Sequence, residues 1–190
     1  MTEIEIKARV CNRDDVVKKL NVFAAYKGRC IRDDTYYGLI NPDGTYSKKK
    51  IRIRKETSDS HKRILVTYKR KELHHQGKTV IEVNDEKECE VSDSTALEAF
   101  LKDFNFEATV KKHKEVEWWT YENATLELCN VEHLGNFLEI EILAEGDSES
   151  LRNKTHEKLE KILLMTGLSE TDVEERPYTE LLQEKLKAVL

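Results

Sequence analysis

The stretch that decides the fold is Glu3-Ile4-Glu5-Ile6-Lys7, near the amino terminus of the 190-residue chain. Charged and apolar residues alternate strictly along it. Because successive side chains of a β-strand point to opposite faces, this alternation predicts a strand with isoleucines on one face and with two acids and a base in a row on the other. An ordinary strand with one solvated face has the same pattern, so the stretch alone does not identify a site.

Composition narrows the classes of protein to consider. Charged residues make up 36% of the chain and apolar residues 38%, and the apolar ones are periodic, so we expect one folded domain over residues 1–190. The net charge of −5 argues against general nucleic-acid binding, which usually needs a basic excess. The sequence has no apolar run of the roughly 20 residues that a membrane span needs and no export leader. Its scattered cysteines fit a reducing compartment, and we expect a cytoplasmic protein.

The pattern along the chain predicts roughly eight strands and four helices. After the opening strand, the strand-like stretches are Ala24–Cys30, Asp34–Leu39, I-R-I-R-K from Ile51, R-I-L-V-T-Y-K from Arg63, Thr79–Val91, Ala108–Tyr121, Thr125–Val131 and F-L-E-I-E-I-L from Phe137. The helical stretches are 14–20 with a cap at Asn12, a helix capped by Asp93, 148–165 and 179–189. We also expect a hairpin loop over residues 56–62 and a turn at Glu122-Asn123. Strands joined mostly by hairpins, with helices between and after them, favour an α+β fold with an antiparallel sheet, and eight strands are enough to close a barrel.

Reading each strand in alternate positions leaves one face apolar and the other rich in both charges. That charged face has the acids Glu3, Glu5, Glu88, Glu90, Glu127, Glu139 and Glu141 and the bases Lys7, Arg52, Arg54, Lys69, Lys112 and Lys114. It could be a plain solvated surface, or it could line a water-filled tunnel with helices on the apolar outside. A dry interior is excluded, since each unpaired buried ion costs several kcal/mol. A lining divided into acidic and basic parts can hold divalent cations and phosphates.

Several stretches resemble, in order, the motifs of the CYTH superfamily, which groups class IV adenylyl cyclases, thiamine triphosphatases and inorganic tripolyphosphatases. E-I-E-I-K is similar to its E-x-E-x-K signature. The other similar stretches are D-T-Y-Y from Asp34, I-R-I-R from Ile51, T-Y-K from Thr67, K-K-H-K from Lys111, L-G-N-F-L-E-I-E from Leu134 and the cyclase-like tail E-R-P-Y-T-E-L-L from Glu175. The resemblance implies an eight-stranded antiparallel closed β-barrel, the triphosphate tunnel, with helices packed on the outside.

The resemblance also implies roles for individual residues. The cations that would bind a triphosphate and stabilise charge on its leaving group are Lys7, Arg52, Arg54, Lys69, Lys112, Lys114 and Arg176. The acids that would bind Mg²⁺ or Mn²⁺ are Glu3, Glu5, Glu127, Glu139 and Glu141. Lys7, Glu5 and Arg54 would stand nearest the reaction and count as catalytic.

Four departures from the family pattern affect these roles. Cys129 stands where the family usually has a metal-binding Asp, and a thiol is a poor ligand for Mg²⁺, although Glu127 lies two residues earlier on the same face. Lys114 replaces an arginine and so offers a point charge in place of a bidentate fork. T-Y-K-R-K replaces the usual T-Y-K-G-P, and Pro177 replaces the serine of the tail.

The expected function is metal-dependent chemistry on a small linear triphosphate. The tail favours the class IV cyclase reaction, in which the 3′ hydroxyl of ATP attacks its own α-phosphorus and gives cyclic AMP and pyrophosphate. Hydrolysis of tripolyphosphate, thiamine triphosphate or a nucleoside triphosphate remains open, and so does binding without turnover, which Cys129 suggests. We expect no membrane partner and either a monomer or a homodimer.

Overall fold

The computed structural model describes residues 2–42, 46–76, 79–146 and 148–187, with the side chains of 2, 46–49, 69–76, 79–86 and 186–187 left outside the description. Its elements follow the predicted order closely. They are β1 (Thr2–Arg9), α1 (Arg13–Phe23), β2 (Ala25–Ile40), β3 (Tyr46–Ser58), β4 (Lys62–Gln76), β5 (Thr79–Val91), α2 (Thr95–Asp103), β6 (Phe106–Tyr121), β7 (Ala124–Val131), β8 (Gly135–Ala144), α3 (Glu149–Met165), a 3₁₀ turn (Glu170–Asp172) and α4 (Tyr178–Lys187).

The eight strands follow the order of a closed barrel, β1-β5-β4-β3-β2-β6-β7-β8. The first and last strands of this order are themselves paired, because β1 and β8 run antiparallel in a register that puts Glu5 opposite Glu141 and Lys7 opposite Glu139. The predicted α+β class and eight-stranded antiparallel barrel are therefore confirmed.

The chain clusters into two compact units. Unit 1 contains Met1–Arg29, Lys71–Asp85 and Val116–Arg176, and unit 2 contains Cys30–Arg70, Glu86–Glu115 and Pro177–Leu190. Each unit holds part of the charged face, and each is described by itself below.

Unit 1 has a hydrophobic core between helices and the apolar face of its strands. Ile4 and Ile6 of β1 are buried there with Leu20 of α1 and with Leu159 and Ile162 of α3. Each buried aliphatic side chain of this size contributes about 1.5–3 kcal/mol. The α1 helix begins at the Asn12 cap, whose side-chain oxygen accepts a hydrogen bond from the backbone N–H of Asp15. Helices thus cover the apolar face, as predicted.

On the opposite, charged face, several lysine side chains are also buried. Lys7, Lys112 and Lys114 are only 7%, 6% and 3% exposed. Lysines are almost never buried unless they are paired. These positions therefore do not belong to a plain solvated surface, and the lining interpretation is the one that the burial supports.

Two local predictions about strands were wrong. The two predicted strands Ala24–Cys30 and Asp34–Leu39 are one strand, β2, because Arg32 and Asp33 between them are paired with side chains of other strands, Glu56 and His113. The predicted hairpin loop over residues 56–62 is shorter, since β3 continues to Ser58 and β4 begins at Lys62.

Two ends of helices also differ from prediction. Ser94 occupies the cap position of α2, and Asp93 before it accepts hydrogen bonds from the backbone and side chain of Thr95. The last helix begins at Tyr178, just before its predicted start, and is described to Lys187, and its predicted end at residue 189 lies outside the described residues. Among the described residues, no helix has the length and apolar character that crossing a membrane would require.

Candidate functional site

A buried carboxylate, that of Asp34, organises the cations of unit 2. Asp34 in β2 lies opposite Arg54 in β3. Its Oδ1 accepts a hydrogen bond from Arg54 Nε at 2.7 Å, and its Oδ2 accepts one from Arg54 Nη2 at 3.0 Å and lies 3.0 Å from Lys112 Nζ. This paired geometry fixes both cations in place, as bidentate arginine–carboxylate pairs do.

The charges around Asp34 and Arg54 keep both side chains ionised. Burial acts to raise the pKa of Asp34, but Lys112 and Arg54 outweigh it and hold that pKa well below its usual value. Burial likewise acts to lower the pKa of Arg54, and Asp34 outweighs it and raises that pKa. Asp34 and Arg54 are therefore both charged at neutral pH.

Aromatic rings surround the two buried lysines of β6. Lys112 Nζ donates a hydrogen bond to the Tyr36 hydroxyl at 3.2 Å and lies 5.0 Å from the centre of the Tyr178 ring. Lys114 Nζ lies 5.9 Å from the centre of the same ring. Burial acts to raise the pKa of Tyr36, but the charge of Lys112 prevails and lowers it. Cation–π contacts of this kind stabilise a desolvated ammonium by about 0.5–2 kcal/mol each.

Arg52 is held by a second polar chain on the same face. Its Nη2 donates a hydrogen bond to Thr67 Oγ1 at 3.0 Å, and that hydroxyl donates to Glu88 Oε2 at 2.8 Å. Arg52 and Thr67 are directly opposite in the register of β3 and β4. Lys69, predicted to bind phosphate two residues further along β4, has a side chain that lies outside the described residues.

Acidic side chains dominate the charged face of unit 1. Glu127 lies opposite Glu139 in β8, and Glu5 lies opposite Glu141. One ligand atom each from Glu127, Cys129 and Glu139 lies within 4.8 Å of the others. Carboxylate oxygens at this spacing suit Mg²⁺ or Mn²⁺, so two of the five predicted metal ligands fit a divalent cation, with a thiol beside them.

The other three predicted metal ligands, Glu3, Glu5 and Glu141, are half-buried on the same face of β1 and β8. Within the described residues they are not part of the compact group around Cys129. Their roles as metal ligands stay predictions.

The segment after the 3₁₀ turn binds Lys7 through its backbone. Lys7 Nζ donates a hydrogen bond to the Arg176 carbonyl at 2.6 Å, and the Glu174 N–H donates to the Lys7 carbonyl at 2.8 Å. Glu174 also accepts hydrogen bonds from Arg9 and from the Arg176 side chain. Burial acts to raise the pKa of Glu174, but these hydrogen bonds outweigh it and lower that pKa to about 2. Arg176, predicted to bind phosphate, is thus placed beside Lys7 with its guanidinium on Glu174.

Sequence reasoning missed four residues that organise this face: Asp34, Tyr36, Glu174 and Tyr178. A signal for two of them was present, because Asp34 and Tyr36 stand in alternate positions of the D-T-Y-Y stretch. The register that puts Asp34 opposite Arg54 and Tyr36 opposite Arg52 could not be read from the sequence.

Comparisons with known proteins agree with this architecture. A curated Methanocaldococcus jannaschii protein, provisionally named an adenylate cyclase, is 26% identical over 95% of this chain and 98% of its own length. The solved structure of a Pyrococcus horikoshii protein is 30% identical, covers 96% of this chain and 99% of its own, and superposes with a TM-score of 0.81. A Hippeastrum protein, provisionally named an adenylyl cyclase and described as having a dominant triphosphatase activity, shares the fold at 17% identity and a TM-score of 0.60, covering 87% of this chain and 88% of its own. The CYTH domain family matches residues 1–178, and the chain belongs to that family.

Proposed function

We propose that this chain is a divalent-metal-dependent enzyme that cleaves a linear triphosphate, and that it does so as an adenylate cyclase. The observation that carries the proposal is the set of fixed cations that unit 2 places together: Arg54 and Lys112 both contact the buried Asp34 carboxylate, and Lys112 and the buried Lys114 share the Tyr178 ring. Several cations held in place on one face favour a polyanion such as a triphosphate. The choice of the cyclase reaction is supported by the Methanocaldococcus jannaschii relative and by the tail from Glu175.

The cations of unit 2 would bind the phosphate oxygens. Arg54 and Lys112 are already fixed by Asp34, so they would not lose much side-chain entropy when the triphosphate binds. Fixed positive charge is most useful where negative charge develops, which in the cyclase reaction is the departing pyrophosphate.

Glu127 and Glu139 of unit 1 would hold the divalent cation, with Glu3, Glu5 and Glu141 as further candidates. When bound, the cation neutralises phosphate charge and orients the phosphate oxygens. Lys7, opposite Glu139 and fixed by the Arg176 carbonyl, would place its ammonium near the reacting phosphate.

In the cyclase reaction, the 3′ oxygen of ATP forms a bond to the α-phosphorus and the bond from that phosphorus to the bridging oxygen of pyrophosphate breaks. The hydroxyl proton is released, and the products are cyclic AMP and pyrophosphate. Triphosphate hydrolysis is the second candidate. In it, water attacks a terminal phosphorus, the bond from that phosphorus to the bridging oxygen breaks, the diphosphate part leaves, and the attacked phosphorus becomes orthophosphate. Hydrolysis is supported by the activity described for the Hippeastrum protein.

Product analysis tests the proposal. The purified chain is incubated with ATP, tripolyphosphate and thiamine triphosphate in the presence of Mg²⁺ or Mn²⁺. Cyclic AMP with pyrophosphate supports the cyclase, orthophosphate supports the hydrolase, and binding without product contradicts an enzymatic role. Lys112→Met should abolish turnover, whereas Lys111→Met, at the exposed neighbouring position, should leave it close to that of the parent chain.

A further inference from the structure

A thiol stands among the carboxylates of unit 1. Cys129 is fully buried, and its Sγ lies 3.6 Å from Glu139 Oε2. Glu127, two residues earlier on β7, completes a group whose ligand atoms all lie within 4.8 Å of one another. The group therefore offers a cation one sulfur and two oxygens.

This mixed set of ligands suits some divalent cations better than others. Mg²⁺ requires near-octahedral oxygen coordination and gains little from sulfur. Zn²⁺ and the cations that resemble it accept thiolate and carboxylate together, with bonds of about 2.3 Å to sulfur and about 2.1 Å to oxygen in a tetrahedral arrangement. Two such bonds hold sulfur and oxygen about 3.6 Å apart. The Cys129–Glu139 distance already has that value.

We propose that Glu127, Cys129 and Glu139 form a three-ligand site for a thiophilic divalent cation of the Zn²⁺ class, with a fourth position left for water or a phosphate oxygen. On binding, the Sγ–H bond of Cys129 breaks, sulfur bonds to the cation, and the proton passes to solvent. The inference rests on the proposed function only in that the same carboxylates would hold the metal of the reaction. It goes further by naming the class of cation that they prefer.

Cobalt titration tests the site without relying on turnover. Because Cys11 and Cys89 are exposed and could bind metal themselves, the parent protein for this test is the full chain with Cys11→Ser and Cys89→Ser. Titration with Co²⁺ in the presence of a phosphine reductant should give a thiolate-to-cobalt charge-transfer band. Zn²⁺ should displace the cobalt when added in equal amount, whereas a roughly 100-fold excess of Mg²⁺ should not.

Two cysteine variants locate the sulfur ligand. In the same parent, Cys129→Ser should remove the charge-transfer band and raise the Kd for Zn²⁺ by roughly 10-fold or more. Cys30→Ser is the matched control, since Cys30 is the other buried free cysteine, and it should leave both unchanged.

A third variant keeps the test informative if Cys129→Ser does not fold. Glu139→Gln retains the thiol, so it should weaken Co²⁺ and Zn²⁺ binding by roughly 10-fold while the band still appears at saturating Co²⁺. Absence of the band in the parent protein, its persistence in Cys129→Ser, or displacement of cobalt by Mg²⁺ would each overturn the proposal.

The outcomes separate this inference from the proposed function. A charge-transfer band in a chain that turns over no triphosphate would support the cation site and end the enzymatic proposal. Turnover with Mg²⁺ in a chain that gives no band would support the enzymatic proposal and end the proposal of a site for a thiophilic cation.

Discussion

At the scale of a single residue, Asp34 supplies the negative charge that neutralises the cations Arg54 and Lys112. Its carboxylate contacts both Arg54 and Lys112, and its side chain has no exposed surface. Removing one partner of a buried ion pair leaves uncompensated charge and costs about 3–5 kcal/mol. Its sequence neighbour, Asp33, is 61% exposed and contacts His113, so a pair there should contribute only about 0–1 kcal/mol.

We expect Asp34→Asn to lower the free energy of unfolding by about 3 kcal/mol or more, because Arg54 and Lys112 lose the anion between them. Urea denaturation monitored by circular dichroism measures the change. Asp33→Asn is the matched control and should shift the midpoint little. Tripolyphosphate should stabilise Asp34→Asn more than it stabilises the unmodified chain, since it would supply the missing negative charge. Equal effects of the two substitutions would contradict this account of Asp34.

The segment that connects the 3₁₀ turn to α4 acts at the scale of an element. This segment binds β1 through the backbone of Lys7, an antiparallel bridge between Ala8 and Val173, and the ion pair of Glu174 with Arg9. Within the segment, Glu174 also forms an ion pair with Arg176. Glu174 joins two arginines and a strand, so its ionisation should determine how tightly the segment is held.

The depressed pKa of Glu174 predicts a specific pH dependence. The pKa is about 2 in the folded chain, against an ordinary value of 4.5. The unfolded chain therefore takes up this proton first as the pH falls, so the stabilisation is complete above about pH 4.5 and is lost between about pH 4.5 and 2. Glu174→Gln should remove about 1–3 kcal/mol at neutral pH and flatten this part of the stability profile. Glu175→Gln, at the exposed next position, should not.

Urea midpoints measured from pH 7 to pH 2 test this prediction for the parent chain and both variants. If Glu174→Gln retains the full loss of stability below pH 4.5, then other carboxylates account for it. Glu56 is the obvious alternative, because its pKa is also lowered to about 2 by Arg32, His61 and Arg63 against the effect of burial.

Elements were predicted from sequence where a local signal was enough. The alternation of β1, the cap at Asn12 and the turn between β6 and β7 each depend on neighbouring residues, and all three appear in the structure. The failures depend on distant partners. Arg32 lies between the two stretches predicted as separate strands, and the structure places it within β2 with its side chain paired with Glu56 of β3.

In the candidate site, too, features that depend on neighbouring residues were predicted and features that depend on distant partners were not. Alternation was sufficient to assign Lys7, Arg54 and Lys112 to one face of their strands. The carboxylate that joins Arg54 to Lys112 became apparent only from the register of β2 and β3, and the contact of Arg176 with Lys7 only from the path of the chain after α3. A position on a face can be predicted from sequence, but the partner across a strand cannot.

At the scale of the whole molecule, the chain has a net charge of −5 and yet concentrates buried cations in unit 2 and a carboxylate group in unit 1. The proposed function requires that binding of the metal changes the affinity for the triphosphate. Binding free energies are reciprocal, so a metal that raises triphosphate affinity by some factor must have its own affinity raised by the same factor. Two unrelated sites would show no such coupling beyond what the metal and the triphosphate have for each other in solution.

We therefore expect Mg²⁺ or Mn²⁺ to increase the affinity for a non-hydrolysable ATP analogue by roughly 5- to 150-fold, a coupling of about 1–3 kcal/mol. Isothermal titration calorimetry of each ligand, with and without the other, measures both directions. Glu139→Gln is the control, because complex formation between metal and nucleotide in solution persists in it while the carboxylate group of unit 1 is impaired. The coupling should fall towards the solution value in this variant. Unchanged coupling would mean that the acidic group takes no part in binding the metal–triphosphate complex, and the proposed division of roles between the carboxylates and the cations would fail.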